Sequence, residues 1–249
     1  MPDPSEASSD ADRSAPRLDR SEVSSAAMPI GRAQVLALVI MGMFALLAPL
    51  PHMLIWGVPE VSSLVSPIGG ALLGGLIVAG VVVHEGIHGL GYLWGGAAWS
   101  EVKFGFNWSG LAPYAYCGAP LRCGAYRWAI VLPGLVLGAV PLAVGLTTGR
   151  WGATLFGFVM LAAAGGDALL LWMLRAVPRG AWVQDHPHRM GALVLGHSSS
   201  EVAPRLAFDP ETGAQDPEER GTSTARLLLA VLIVSALIGG VVGFVAASM

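Results

Sequence analysis

Charge is what this sequence has least of. Only 12% of its 249 residues are Asp, Glu, Lys or Arg, against roughly 25% in an average soluble domain. With 54% hydrophobic residues, that shortfall excludes an ordinary soluble globule and a disordered chain. Lysine is nearly missing: Lys103 stands among 14 basic residues, and we read the arginine excess as composition bias. The net charge of -3 provides no basic field to neutralise phosphates, so nucleic acid is excluded as a partner. The two cysteines, Cys117 and Cys123, cannot build a disulfide scaffold. Their C-x5-C spacing is not that of a zinc knuckle either, and both are expected to be free thiols.

The few charges are unevenly placed. Between residues 32 and 200 the only acids are Glu60, Glu85, Glu101, Asp167 and Asp185. The polar flanks surround an apolar body made of runs at 33–57, 68–94, 128–149, 151–174 and 227–248. Each approaches or exceeds the roughly 20 residues that cross a bilayer as a helix. Pro49 and Pro51 are expected to kink or end the first. Glycines inside the second would weaken a soluble helix but let membrane helices approach closely.

The expected fold is therefore all-α: a polytopic membrane bundle of about five transmembrane helices with a short interfacial β-hairpin. Four parts are expected: a disordered tail at 1–31, a membrane-embedded domain at 32–197, a flexible linker at 198–225 and a last membrane helix at 226–249. No cleavable signal peptide is expected, because the first apolar run is too long for one. Basic residues gather before the first run, between the second and third (Lys103, Arg122, Arg127), and after the fourth (Arg175, Arg179, Arg189). The positive-inside rule then expects a multi-pass protein of the cell membrane with a cytoplasmic N-terminus. Residues 99–117 alternate in polarity around Ser109-Gly110 and predict the hairpin, with Trp99, Trp108, Tyr114 and Tyr116 as interfacial anchors.

One pattern carries chemistry. His84-Glu85-Gly86-Ile87-His88 matches H-E-x-x-H, which this composition yields by chance only about 0.005 times per chain. On a helix, positions i and i+4 share a face, so both imidazoles reach one Zn²⁺ while Glu85 can take a proton from water. Ionisable residues within an apolar run are costly and mark function more often than packing. A catalytic zinc takes a third protein ligand. Asp167 is the only acid of the fourth run and lies as far into it as His84 lies into the second, so the two should sit at similar depth. Gly165 and Gly166 would admit a close approach of those helices, and a buried lone carboxylate calls for a cation. The rival donors are Asp185, His186 and His188, which could fold back over the site as ligands, supporting groups or caps. His52 is expected at the membrane interface, and His52 and His197 receive no role.

The arrangement resembles the site-2 protease type of intramembrane metalloprotease. More closely it is similar to the DUF3267 family of zincin peptidases, over roughly residues 68–195. The residues that carry the likeness are His84-Glu85 with His88, Pro113-Tyr114, Tyr126-Arg127, Pro133, Asp167, and Asp185-His186-Pro187 with Gly191. The resemblance implies a membrane-embedded zinc protease with His84, His88 and Asp167 as metal ligands and Glu85 as the catalytic acid/base. Site-2 proteases carry their Asp in a Leu-Asp-Gly context; here it is Gly166-Asp167-Ala168.

The expected activity is hydrolysis of peptide bonds in a membrane protein or peptide substrate. Competing readings are a metal carrier or sensor, and an inactive membrane scaffold. A carrier has no need of a base beside the first histidine, and a scaffold has no reason to keep a costly polar cluster.

Overall fold

The computed structural model describes residues 23–47, 49–58, 67–107, 112–187 and 189–196. The first apolar run is two helices, α1 (Ile30–Leu47) and α2 (Pro49–Trp56). Proline disfavours a helical residue before it and suits the first position of a new helix, so Pro49 ends one and starts the other. The second run is one helix, α3 (Pro67–Trp94). A third, α4 (Cys123–Thr148), starts five residues earlier than its apolar run and widens into a π-turn over Gly134–Ala139. Pro133 and Pro141 flank that turn, and neither supplies the N–H a regular ladder needs. The fourth run breaks at Ala164 into α5 (Trp151–Ala163) and α6 (Gly165–Leu174), bent by 45°.

Among the described residues, two helices are long and apolar enough to cross a membrane, and three if the bent pair is one span. Two or three of the expected five spans are thus present among the described residues. Pro49 parts the first run into α1 and α2, neither of which is counted among these spans, and 227–248 lies outside the described residues, as does the linker. Large apolar side chains on α3 face outward, with Leu72 70% and Val82 68% exposed. A continuous apolar face of this kind suits lipid better than water.

The fold is mostly helical but not all-α. The expected hairpin forms from β2 (Val102–Asn107) and β3 (Ala112–Cys117), with Phe104 opposite Ala115 and Val102 opposite Cys117. A second, antiparallel sheet has the order β1-β6-β5-β4, from Val23–Met28, Met190–Leu195, Trp182–Asp185 and Leu121–Arg122. The sequence reading placed residues 23–28 in a disordered tail; they form β1, paired with β6 from Val23↔Leu195 to Met28↔Met190. The stretch VSSAAM has little strand character alone. It becomes a strand because β6 offers it a ladder, and Ala26, Ala27 and Met28 are then buried.

The core lies where this sheet meets the helices. Leu121, Val183, Ala192 and Val194 pack with Tyr126 and Ile130 of α4 and with Leu169, Met173 and Leu174 of α6. Arg127 fastens α4 to the end of α6 by donating to the carbonyls of Leu174 and Val177. Helices α3 and α4 touch at Gly91, where a Cβ would lie 2.6 Å from the Cα of Ala129. The expectation for Gly165 and Gly166 is corrected: Gly165 makes room for Ala37 and Ile40 of α1, and Gly166 faces Met190. It is Gly80 of α3 that admits Met160 and Phe156 of α5.

Gly91→Val should therefore force the α3–α4 contact apart and lower stability by about 1–3 kcal/mol or more. Gly74→Ala is the control, because a Cβ there meets nothing within 4 Å and should be neutral or stabilising. Thermal unfolding in detergent checks both. Equal midpoints would remove Gly91 from the argument.

Candidate metal centre

His84 and His88 lie one turn apart on α3 and are only 7% and 5% exposed. Their rings meet edge to face with centroids 4.9 Å apart. Asp167 enters from α6, in its first turn. The break at Ala164 puts a carboxylate at the start of a helix, where free N–H groups and the helix dipole favour negative charge. The Nε2 atom of His84 stands 3.0 Å from one carboxylate oxygen of Asp167, and that of His88 stands 3.3 Å from the other. All three donor atoms fall within 4.8 Å of one another.

A backbone group settles the tautomer of His88. Its Nδ1 stands 2.9 Å from the carbonyl oxygen of Ala129. A carbonyl only accepts, so Nδ1 carries the proton. In the neutral ring Nε2 is then an acceptor too, facing the carboxylate of Asp167. A proton on Nε2 or a cation between the two groups satisfies this contact, and N/O donors of this kind suit a zinc ion. The donor set fits the metal. The close contact at Gly91, three residues past His88, brings the Ala129 carbonyl within reach.

Glu85 stands within charge–charge reach of His84, His88 and Asp167. Its carboxylate accepts the backbone N–H of Ala115 in β3, so the hairpin reaches the base position. Sequence reasoning missed both backbone partners, Ala129 and Ala115. No side-chain signal marks them, since any residue supplies an amide.

The rival donors go elsewhere. Asp185 is buried and accepts the Cys117 N–H at 2.6 Å and the Tyr126 hydroxyl. His186 Nδ1 accepts the N–H of Arg189, and His188 lies outside the described residues, as do His197 and Trp108. His52, expected at the membrane interface, is buried within the protein. It bonds Thr154 at 2.8 Å and meets the Trp151 ring edge-on, joining α2 to α5. Cys117 and Cys123 are free and buried. Burial pushes the Cys117 thiol up to about 11, which makes it a poor metal donor and nucleophile. Trp99 is exposed and Tyr114 lies half-exposed on the hairpin.

The segment that holds this cluster has known relatives. Residues 77–182 match DUF3267, "Putative zincin peptidase". The matched segment contains His84, Glu85, His88 and Asp167 and stops just short of Asp185. The match supports a metallopeptidase and implies zinc as its cofactor. Neither a curated protein nor a solved structure matches the chain.

Burial outweighs the two donated hydrogen bonds at Asp185 and raises its carboxyl from 3.8 to about 6. A folded value above the unfolded one means that the folded state holds the proton longer. The stabilisation is complete below the unfolded value and is lost as pH rises through the folded one. Wild-type protein should thus lose stability relative to Asp185→Asn between about pH 4 and pH 7. Parallel melting curves of the two across that window would contradict it.

Proposed function

We propose that this chain is a membrane-embedded zinc metallopeptidase, with His84, His88 and Asp167 holding the metal and Glu85 carrying the proton. The observation that supports it most is the convergence of His84, His88 and Asp167, whose donor atoms fall within 4.8 Å of one another. A bound zinc would supply Lewis acidity at the scissile carbonyl and at water.

The chain's own residues do the rest. Glu85 accepts the proton of the attacking water as the oxygen bonds to the peptide carbon. It then delivers that proton to the leaving nitrogen as the C–N bond breaks. Ala129, by fixing Nδ1–H of His88, keeps the Nε2 lone pair directed at the cluster. The substrate is a membrane protein or peptide in extended form, because a helix shields its carbonyls. The outer edge of β2 in the hairpin is available to such a peptide, and β3 is the strand that meets Glu85.

The basic residues around the hairpin and after α6 set this end of the bundle at the cytoplasmic face of the cell membrane. Water then reaches the site over a short path.

The first test is the metal content of detergent-purified wild type beside His84→Ala, Asp167→Ala and Glu85→Ala. About one zinc per chain is expected, lost with His84→Ala and Asp167→Ala and kept with Glu85→Ala. Peptide hydrolysis should fall by about 10²–10⁴ in Glu85→Ala. A wild-type protein without metal would sink the proposal. Zinc retained in Asp167→Ala would remove that residue from the ligand set.

A further inference from the structure

Asp185 stands outside the metal cluster, yet its contacts lead both to Glu85 and to His88. One oxygen accepts the N–H of Cys117, the last residue of β3. On that strand, Ala115 is two residues earlier. Residues two apart in a strand point their N–H groups to the same side. The N–H of Ala115 goes to Glu85. The outward donors of β3 are thus shared between two carboxylates, Glu85 and Asp185.

The other oxygen of Asp185 accepts the Tyr126 hydroxyl of α4. Tyr126 lies three residues before Ala129, whose carbonyl holds His88. Its ring stacks on Tyr92 at 5.8 Å, and Tyr92 stacks on His88 at 6.4 Å. Tyr92 and Tyr126 are almost wholly buried. One carboxylate therefore ties the strand at the base to the helix that orients a ligand.

We infer that Asp185 is a positioning residue that fixes the edge of β3 over Glu85 and couples that edge to the His88 side of the site. The inference rests on the peptidase reading, because that reading makes Glu85, which β3 holds, the proton carrier. Asp185 binds no metal in this scheme. It sets where β3 sits relative to the base, and so where the carboxylate of Glu85 is held. Its carboxylate is a rigid acceptor that a buried hydroxyl and a buried amide both require.

Amide exchange in detergent micelles, read at single residues by NMR, tests the placement without any activity. Asp185→Ala should speed exchange at both Cys117 and Ala115 by about ten- to hundredfold, with β1 and β6 unchanged. Glu85→Ala should speed exchange at Ala115 alone. Asp185→Asn should restore protection: its amide oxygen accepts the Cys117 N–H, and its NH₂ donates to the Tyr126 oxygen. Tyr126→Phe severs only the α4 arm and should leave Cys117 protected.

In the peptidase assay, Asp185→Ala should lower kcat/KM about ten- to hundredfold while zinc stays near one per chain, and Asp185→Asn should recover most of it. Unchanged exchange at Ala115 in Asp185→Ala would overturn the inference. So would zinc loss in Asp185→Asn, which would make Asp185 a ligand. Should Asp185→Ala fail to fold, Asp185→Asn against Tyr126→Phe carries the test, and exposure of Cys117 in Tyr126→Phe would refute the division of roles. Wild type that binds zinc and shows the exchange pattern but cleaves no peptide would end the peptidase reading and leave the placement of β3 standing.

Discussion

Two imidazoles and a carboxylate converge inside a bundle that has few other charges, and the rest of the structure is arranged around that convergence. A carboxylate of this kind is costly in an apolar interior unless a cation faces it. Here the facing groups are Nε2 atoms, and one of them has its other nitrogen committed to the Ala129 carbonyl. The geometry therefore leaves a position defined by acceptors on several sides. Such a cluster of three donors within 4.8 Å could hold a metal ion.

The helices reach this arrangement through their irregularities. The break at Ala164 turns a membrane-length run into two helices and places Asp167 in a first turn, where the backbone favours its charge. Gly91 allows α4 to touch α3, so a backbone oxygen can reach His88. Straight, uniformly packed helices would hold the same side chains with different partners. The polar end of the bundle is closed by a four-stranded sheet and a hairpin, and this small β layer carries the contacts to Glu85 and Asp185. A membrane bundle has no need of strands to bury its apolar faces. They serve to bring backbone amides to a site that helices, with their amides already paired, cannot supply.

The residues of the cluster were legible in the sequence. His84 and His88 follow from helical spacing, and Asp167 from its isolation in an apolar run at a matching depth. The hairpin was visible through alternation around a turn, and the break in the first run through Pro49. The roles of Gly165 and Gly166 were not visible, because a glycine announces a close approach without naming the neighbour. His52 looked interfacial by its place near a helix end, and only the packing of α2 on α5 buried it against Thr154. Strand β1 was hidden for a similar reason: serine and alanine form a strand there only because β6 pairs with them.

The sequence by itself determined the apolar helices, the histidine pair, the candidate base and the acid that joins them, because each depends on residue type and on spacing along one element. Tertiary structure alone decided which tautomer His88 adopts, where Asp185 turns and which strand meets Glu85. Those outcomes depend on backbone groups and on contacts between elements distant in the chain. A backbone carbonyl or amide is the same at every residue, so no pattern of side chains can reveal which one the fold will bring to the site.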